Sequence, residues 1–271
     1  MSSRSHALLR QQNSKIVKYA KDFVITSNEQ LDLRNILLKL RPADGNMPTM
    51  QPGQFVQVLS PANKDTFLRL PISINNVEGG QLWLMVQMIG EGTKALGTLR
   101  SGDTLNLVLP LGNGFSVSEA KGRVLLVGGG VGIAPLLYAG RALKDNGAEP
   151  VFLLGARTAS GVLERDLFEQ IGRVLITTED GSLGERGFVT QHSALQSEHF
   201  DKIMVCGPKP MMVAVAHYAK QQNIDCEVSL ENMMACGLGA CLCCVEKTVK
   251  GNVCVCTEGP VFNINQLTWQ L

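Results

Sequence analysis

The chain has 271 residues, of which 45% are hydrophobic and 18% charged, with 28 glycines and a formal net charge of +1. This length predicts two modest domains plus a small appendage. The near-zero net charge excludes the broad basic surface that nucleic-acid or membrane binding requires, so small molecules and a protein partner are the expected ligands.

The N-terminal region predicts a protein that stays in the cytoplasm. No apolar run reaches the roughly 18 residues of a transmembrane helix, and the first residues lack the apolar segment of a secretory signal. Residues 1–13 are polar and predict a flexible leader. In the cytoplasm the eight cysteines are expected to be ligands or reduced thiols rather than disulfides.

The first half of the chain, up to about residue 117, predicts an antiparallel β-barrel. Short runs such as FVIT, NILLKLR and LWLMVQMI are rich in β-branched or alternating apolar residues, and Pro, Gly, Asn and Asp separate them. A helical period is hardly visible there. Such a pattern is typical of antiparallel barrels and sandwiches.

Two segments of this half suggest a ligand. In residues 69–73, at a strand end, Arg69 and Ser73 flank the rigid Pro71, and a cation beside a hydroxyl can hold a phosphate and a ring edge. The glycine loop 90–93 leads into a short predicted helix, KALGTL, and amides at a helix start can bind a pyrophosphate. Each alone is more often a simple turn. Together, upstream of a nucleotide-type domain, they predict a flavin dinucleotide seat.

Residues from about 118 to 230 change to strand–helix alternation. The apolar run 123–128 leads through a GGGVG loop into the helical stretch LLYAGRALKDNG, the context of a phosphate-binding loop. Pro135 occupies the place of the third glycine of the usual dinucleotide fingerprint, and a tight packing turn is the alternative. Further predicted elements, including a helix over FVTQHSALQ (188–196), indicate a doubly wound parallel sheet.

A Cys-Gly-Pro segment, 206–208, ends one of these predicted strands. Ligands of open α/β sheets bind at the carboxyl ends of the strands. We therefore predict that Cys206 lies near a nicotinamide. The alternative is a small buried filler, because cysteines are usually buried.

Six of the eight cysteines lie between residues 231 and 260. Cys236, Cys241 and Cys244 follow C-x4-C-x2-C, and with a later fourth cysteine this is the plant-type spacing for a [2Fe–2S] cluster. Glycines between the first two cysteines permit sharp bends. A zinc site of two C-x2–4-C pairs fits the run poorly, and inert buried thiols are a third alternative. The residues alone leave Cys254 or Cys256 open as the fourth ligand.

The order of motifs resembles the ferredoxin-NADP reductase superfamily: R-x-P-x-S, G-x-G-T, G-G-G-x-G-x-x-P, a T-x-D-G-S-x-G-x-x-G-x-V-T stretch (178–190) and C-G-P-x-P-M. The C-terminal M-A-C-G-x-G-A-C-x-x-C run and the C-x-E-G-P-V-F segment (256–262) are similar to those of class B dihydroorotate dehydrogenase electron-transfer subunits. This second resemblance extends from about residue 14 to the C-terminus.

The resemblance implies three domains: an FAD-binding barrel (14–117), an NAD-binding α/β domain (118–230) and a cluster-binding domain (231–271). Electrons from dihydroorotate oxidation would leave the FMN of a separate catalytic subunit, pass through the cluster and FAD, and reach NAD⁺, in pyrimidine biosynthesis. The expected assembly is a heterotetramer of two subunits of each kind.

The resemblance also assigns site residues. It places FAD against Arg69, Leu70, Pro71, Ile72, Ser73, Met85, Val86, Gln87, Gly92 and Thr93. NAD would contact Gly128, Gly130, Gly132, Gly207 and Pro208, with Cys206 as the catalytic residue. The cluster ligands would be Cys236, Cys241, Cys244 and Cys256.

Two departures and three alternatives accompany these expectations. Leu70 stands where the family usually has arginine, and Val86 and Gln87 stand where it tends to have Tyr-Arg. A diaphorase of a hydrogenase, sulfur reductase or ferredoxin-NADP transhydrogenase would share most motifs. A zinc-stapled interaction module without catalysis is the alternative from another class, and Arg157, after the second nucleotide-domain strand, leaves NADP open.

Overall fold

A computed structural model describes residues 17–61 and 67–271, so the predicted leader lies outside the described residues. The N-terminal half forms one antiparallel seven-stranded sheet. Its strands are β1 (Tyr19–Gln30), β2 (Asn35–Pro42), β3 (Phe55–Val58), β4 (Leu70–Ser73), β5 (Asn76–Glu78), β6 (Gln81–Gln87) and β7 (Thr104–Leu111), with the helix α1 (Glu91–Gly97) before β7.

The strand order is β4-β3-β7-β1-β2-β6-β5, and β4 also approaches β6, so the sheet curls toward a barrel. Its interior contains fully buried aliphatic and aromatic side chains, including Phe23, Leu38, Leu40, Leu84 and Leu107. Alternate residues along each strand supply this core, as the period of two in the sequence predicts. The prediction of an antiparallel barrel domain is confirmed.

The rest of the chain contains alternating strands and helices, followed by a cysteine-rich segment. The alternating part comprises β8 (Arg123–Gly129), α2 (Ala134–Asp145), β9 (Glu149–Ala156), α3 (Arg165–Ile171), β10 (Arg173–Thr178), β11 (Glu185–Arg186), α4 (Ala194–Ser197), β12 (Lys202–Cys206), α5 (Lys209–Gln221) and β13 (Asp225–Ser229). The final segment comprises β14 (Val245–Thr248), β15 (Gly251–Cys254), α6 (Val255–Glu258) and β16 (Val261–Asn263).

The second sheet has the order β11-β10-β9-β8-β12-β13-β16. All its pairings are parallel except that of β13 with β16. The predicted parallel α/β domain is confirmed, and β8 is central in it, flanked by strands that lie later in the chain. Ligands of such sheets bind where the strand order reverses, which here is the carboxyl end of β8.

The predicted helix over residues 188–196 is wrong. The chain forms a 3-10 turn at Val189–Gln191 and the short α4, separated by His192 in an extended conformation (φ −61°, ψ 132°). The carboxylate of Glu185 accepts hydrogen bonds from both the amide and the hydroxyl of Ser193. These bonds hold the chain in a bend at the point where a continuous helix would need to pass.

The C-terminal segment is attached to both larger units. Strand β16 extends the parallel sheet, and the Asn113 amide nitrogen donates to the Gly259 carbonyl at 2.6 Å. The Asn113 side chain donates to the carbonyls of Thr257 and Glu258, each at 3.0 Å. The segment after residue 230 is therefore held against the barrel and the sheet at once, and the two-stranded β14–β15 hairpin projects from it.

A polar cluster joins the barrel to α2 and α3. The Asn75 side chain donates to the Ala134 carbonyl at 3.3 Å and to Glu164 Oε2 at 2.9 Å. Asn75 Oδ1 and Glu164 Oε1 are buried without a hydrogen-bond partner. Burial raises the pKa of Glu164 to about 7, and this effect outweighs the Asn75 hydrogen bond and the Lys39 charge, which lower the pKa. The carboxyl group therefore changes charge close to neutral pH.

A second polar cluster joins Ser116, which follows the barrel strands, to strands β12 and β13. Lys202 is buried, and its Nζ lies 2.6 Å from Asp225 Oδ2 and 3.3 Å from Glu227 Oε1. The same ammonium donates to the Ser116 hydroxyl at 2.8 Å, and the Ser116 amide donates to Glu227 at 3.1 Å. Because every charge in this cluster has an opposite or polar partner, we assign it a structural role.

Among the residues described, none of the helices is both long enough and apolar enough to cross a membrane.

Candidate functional site

The cysteine-rich segment brings five thiols toward one another. Electrostatic interactions link Cys254 to Cys236, Cys241 and Cys244, and Cys256 to Cys244 and Cys236. Cys244 and Cys256 are buried, Cys236 and Cys254 are partly buried and Cys241 is exposed. The sixth cysteine of the segment, Cys243, is exposed. The four predicted cluster ligands thus lie in one place, with Cys254 beside them.

Backbone amides point at three of the four predicted ligand sulfurs. The amide of Leu238 donates to Cys236 Sγ at 3.3 Å, that of Gly239 to Cys256 Sγ at 3.1 Å, and that of Cys256 to Cys244 Sγ at 3.4 Å. The Leu238 bond lowers the pKa of Cys236 to about 6, whereas burial raises the pKa of Cys256 to about 12. Donors aimed at sulfur stabilise thiolates and the sulfurs of an iron–sulfur cluster.

Gly237 is required where it stands, between the first ligand and Leu238. It has φ +68°, and a Cβ placed on it would lie 2.8 Å from Gln57 Cγ and 3.1 Å from Leu111 Cδ1. The loop therefore packs its backbone directly against the barrel strands β3 and β7. A side chain at this position would lift the loop away from the barrel.

The predicted flavin segments come together at one edge of the barrel. Leu70 pairs with Val58 across β3 and β4, and the Ser60 hydroxyl, just beyond β3, donates to the Gly92 carbonyl at 3.2 Å. The start of β4 therefore lies beside the start of α1. Pro71 is exposed, and Ile72 and Ser73 are partly exposed, so part of this strand is open to a ligand.

Helix α1 begins earlier than the sequence pattern indicates. It starts at Glu91, so Gly92 and Thr93 lie in its first turn rather than in a loop before it. The Thr93 hydroxyl accepts the amides of Ile89 at 3.0 Å and Gly90 at 3.1 Å. The threonine thereby satisfies two amides of its own loop, which is the capping role of a polar side chain near a helix start.

Arg69 is engaged within the barrel. Its Nη1 donates to the carbonyls of Gln57 at 3.3 Å and Asn106 at 3.1 Å, and its Nη2 donates to Asn106 Oδ1 at 2.6 Å. The guanidinium thus ties β3 to β7. With Leu70 at the next position, β4 places no free cation at the predicted flavin edge.

The β6 residues predicted at the flavin differ in where they point. Met85 packs with side chains of the α/β unit, whereas Val86 belongs to the barrel core, and both are buried. Gln87 is partly exposed at the end of the strand. The Val86 side chain therefore faces the barrel interior, and only its backbone and Gln87 remain available at the strand end.

The glycine loop after β8 packs against the Cys-Gly-Pro segment after β12. Residues Gly130–Ile133 form a 3-10 turn that continues into α2. A Cβ on Gly132 would lie 2.5 Å from Gly207 Cα and 2.7 Å from the Cys206 carbonyl oxygen. Of the predicted nucleotide residues, Gly130 and Pro208 lie at the protein surface at the switch point of the sheet, whereas Gly128, Gly132 and Gly207 are buried.

Cys206 lies at the end of β12 but beneath this surface. Its side chain is 0% exposed, and its Sγ is 3.8 Å from Glu231 Oε1. Burial, with the nearby Glu231 carboxylate, raises the pKa of the thiol well above its ordinary value. Cys206 is therefore a protonated, covered thiol, and its catalytic role stays a prediction.

Two residues near these sites were not predicted. Glu231 follows β13 and covers Cys206, and Gln57 on β3 faces the cysteine loop. The sequence carried a signal for Gln57, because it is the only polar residue in the buried run Phe55–Val58. Glu231 lies in the cysteine-rich segment, but the residue that it contacts, Cys206, is 25 residues earlier in the chain.

The barrel, the parallel sheet and the thiol cluster define an oxidoreductase of the ferredoxin reductase type. Residues 126–217 match the oxidoreductase NAD-binding domain, and residues 231–268 match the iron-sulfur cluster binding domain of dihydroorotate dehydrogenase B. The chain belongs to the family of dihydroorotate dehydrogenase B electron transfer subunits.

Curated relatives carry the name dihydroorotate dehydrogenase B (NAD(+)), electron transfer subunit. That of Shouchella clausii is 42% identical over 226 residues, covering 80% of this chain and 86% of its own. That of Caldanaerobacter subterraneus subsp. tengcongensis is 42% identical over 216 residues, covering 78% of this chain and 84% of its own.

Solved structures agree with the fold. An NADH-dependent reduced ferredoxin-NADP oxidoreductase, studied for flavin-based electron bifurcation, aligns with a TM-score of 0.81 and 29% identity over 91% of this chain and 90% of that one. The FAD- and haem-containing flavohemoglobin of Malassezia yamatoensis aligns at 0.63 and 19% identity, covering 81% and 60%. The predicted superfamily, its three-part fold and its cofactor set of FAD, [2Fe–2S] and NAD are confirmed.

Proposed function

We propose that this chain carries electrons from the FMN of a separate dihydroorotate-oxidising subunit, through a [2Fe–2S] cluster and FAD, to NAD⁺. The observation that carries the proposal is the convergence of Cys236, Cys241, Cys244 and Cys256 on a reductase body, with backbone amides aimed at three of these sulfurs. FAD exchanges both single electrons and hydride, which suits it to a place between a cluster and a nicotinamide.

The residues present fit a [2Fe–2S] cluster, because the C-x4-C-x2-C run has the plant-type spacing and fits the two C-x2–4-C pairs of a zinc site poorly. Beside the first of these thiols, the Gly237 backbone packs against the side-chain amide of Gln57, whose buried polar atoms have no hydrogen-bond partner. Cys236, Cys241, Cys244 and Cys256 would hold the cluster, in the C-x4-C-x2-C order typical of plant-type sites.

The barrel edge would hold FAD through backbone and hydroxyl groups rather than through arginine. The exposed part of β4, Pro71 to Ser73, would support the flavin, and the α1 start at Gly92 and Thr93 would face the pyrophosphate. Since Arg69 is bonded to Asn106 and Leu70 is apolar, this seat lacks the charge-assisted bonds that an arginine would add.

The switch point of the parallel sheet would hold NAD. Gly132 packs closely against Gly207 at the carboxyl ends of β8 and β12, and the exposed Gly130 and Pro208 beside them would let a dinucleotide approach the main chain. The buried Cys206 lies beneath these residues, and Glu231 contacts its thiol.

We also propose a setting for this activity. The partner is an FMN-containing dihydroorotate dehydrogenase catalytic subunit, and two subunits of each kind form a heterotetramer that works in the cytoplasm in pyrimidine biosynthesis. The relatives' name, electron transfer subunit, supports a separate catalytic partner. The domain limits 14–117, 118–230 and 231–271 are proposed with one qualification, because β16 completes the sheet of the second domain.

A ferredoxin-NADP transhydrogenase subunit is the second candidate. The 29% identity over 91% of the chain with an NADH-dependent reduced ferredoxin-NADP oxidoreductase favours it. The higher identity of 42% with dihydroorotate dehydrogenase B subunits favours the first candidate.

An anaerobic visible spectrum of the purified chain, before and after NADH, tests the redox path. We expect a flavin band and broad cluster absorption that both bleach with NADH. Adding a purified FMN-containing catalytic subunit should then give dihydroorotate-dependent NADH formation. A colourless protein refutes the proposal, and a coloured protein that reduces ferredoxin but gives no NADH with dihydroorotate supports the second candidate.

A further inference from the structure

Gln57 is a buried amide without a hydrogen-bond partner. Strand β3 alternates, so that Val56 and Val58 enter the barrel core, whereas Phe55 packs with Leu111, Cys244 and Cys256 on the opposite face. Gln57 lies on that opposite face and is 0% exposed. Both its Oε1 and its Nε2 are unpartnered. A buried amide with both ends unsatisfied is rare, because its desolvation is not offset.

The Gln57 amide lies against the first ligand of the cysteine loop. A Cβ placed on Gly237 would be 3.0 Å from Gln57 Nε2 and 2.8 Å from Gln57 Cγ. Gly237 is the residue directly after Cys236, and the next amide, that of Leu238, donates to Cys236 Sγ at 3.3 Å. The side chain thus reaches the loop from the barrel side, at the point where the loop already directs a donor at sulfur.

We infer that the Gln57 side-chain N–H donates a hydrogen bond to a sulfur of the iron–sulfur cluster, either a bridging sulfide or the Cys236 thiolate. The inference rests on the proposed function, since it requires the cluster at these cysteines. Cluster sulfurs are anionic acceptors, and one of them would supply the partner that Gln57 Nε2 lacks. Hydrogen bonds to these sulfurs set the reduction potential, because a donor stabilises the reduced, more negative cluster.

Gln57 also connects the cluster with the flavin strand. In the register of β3 and β4, Gln57 pairs with Pro71. Its backbone carbonyl accepts a bond from Arg69 Nη1 at 3.3 Å, and Arg69 is held in turn by Asn106. Arg69 therefore supports the backbone of Gln57, which gives the arginine a function other than phosphate binding. The strand that carries Gln57 is therefore hydrogen-bonded to the strand proposed to support the flavin.

The test compares Gln57→Met with the wild-type chain, both carrying their cofactors. Methionine is close to glutamine in shape but has no N–H donor. The matched control is Gln81→Met, which removes the bond from Gln81 Nε2 to the Thr26 hydroxyl at 2.7 Å, outside the cysteine loop. The measurement is an anaerobic redox titration of each protein, in which electron paramagnetic resonance reports the reduced cluster.

At the wild-type midpoint, we expect the reduced-to-oxidised ratio to fall about tenfold in Gln57→Met, a shift of about 59 mV to lower potential. The ratio should be unchanged in Gln81→Met. An unchanged midpoint in Gln57→Met overturns the inference, and so does an equal shift in both variants. If a buried water were the partner of the Gln57 side-chain amide, the midpoint of Gln57→Met would be unchanged.

A labelling experiment on the wild-type chain avoids any dependence on how the variant folds. With glutamine labelled by ¹⁵N in the side chain, the reduced cluster should show a ¹⁵N hyperfine coupling that Gln57→Met, where it assembles, lacks. A cluster without that coupling overturns the inference and leaves the proposed function intact. Wild-type protein without iron refutes the proposed function itself, so the two failures are distinguishable.

Discussion

Replacing Glu164 by glutamine should remove a pH-dependent loss of folding stability at the interface between the barrel and the α/β unit. The native pKa of Glu164 is about 7 because of burial, against 4.5 for an ordinary glutamate. The native protein therefore binds more protons than the unfolded chain between these two values, and stability falls as pH rises through them. Below about pH 4.5 the carboxyl group is protonated in both states and contributes no penalty.

The size of this effect follows from the pKa difference. At about 1.4 kcal/mol per unit, a difference of roughly 2.5 units corresponds to about 3 kcal/mol above pH 7. The side chain is only partly buried, so solvent screening reduces the expected value to about 1 to 2 kcal/mol. In the Glu164→Gln variant, the new side-chain amide would offer an N–H where Glu164 Oε1 and Asn75 Oδ1 now lack hydrogen-bond partners.

The assay is thermal unfolding of wild type, Glu164→Gln and the exposed control Glu119→Gln at intervals from pH 5 to pH 8. For a chain of this size, each kcal/mol corresponds to roughly 2–4 °C. We expect Glu164→Gln to unfold about 2–8 °C above wild type at pH 8, with the gap closing toward pH 5. A variant less stable than wild type at pH 8, or a gap independent of pH, would refute the assignment of a raised pKa.

Four further changes have defined outcomes. Cys241→Ser should abolish cluster absorption while NADH-driven reduction of a dye through FAD persists. Equal loss of the cluster absorption and of the dye reduction would contradict separate centres. Leu70→Arg should tighten FAD about tenfold in a fluorescence titration, since a charge-assisted bond contributes about 1.5 kcal/mol or more, whereas weaker binding would show that β4 does not face the phosphates. Gly132→Ala should weaken NADH binding by at least about tenfold, because its Cβ would lie 2.5 Å from Gly207 Cα; calorimetry showing wild-type affinity would contradict this. Lys202→Met should destabilise the chain by about 3 kcal/mol in denaturant unfolding, because it leaves Glu227 buried and unpaired, and a loss below about 1 kcal/mol would count against a structural role.

Features that depend on local sequence were predictable. The alternation of the barrel strands, the strand–glycine–helix unit at β8 and the cysteine spacing each involve residues close together in the chain. The fold confirms the first two, and the family match of residues 231–268 confirms an iron–sulfur binding domain. The glycine required at position 237 was also predictable, because a loop that wraps a cluster must bend between its ligands.

Features that depend on distant partners were not predictable. Arg69 looked available for a phosphate, but it binds Asn106, 37 residues later in the chain. Glu185 bonds Ser193 at the break between Val189–Gln191 and α4, and Glu231 contacts the Cys206 thiol. In each case a long-range polar contact decided the conformation or the availability of a side chain, and nothing in the nearby pattern indicates such a contact.

The position of β16 has a consequence for how the protein is made. Domains generally fold in the order of their synthesis, yet the parallel sheet takes its outer strand from Val261–Asn263, which follows the cysteine-rich segment. Until that strand emerges from the ribosome, β13 presents an open edge, which is prone to pair with other chains. The cysteines precede β16, so the nascent segment would be free to receive iron and sulfide before the closing strand fixes it in place. Maturation of the cluster would then come before β16 completes the sheet of the nucleotide domain.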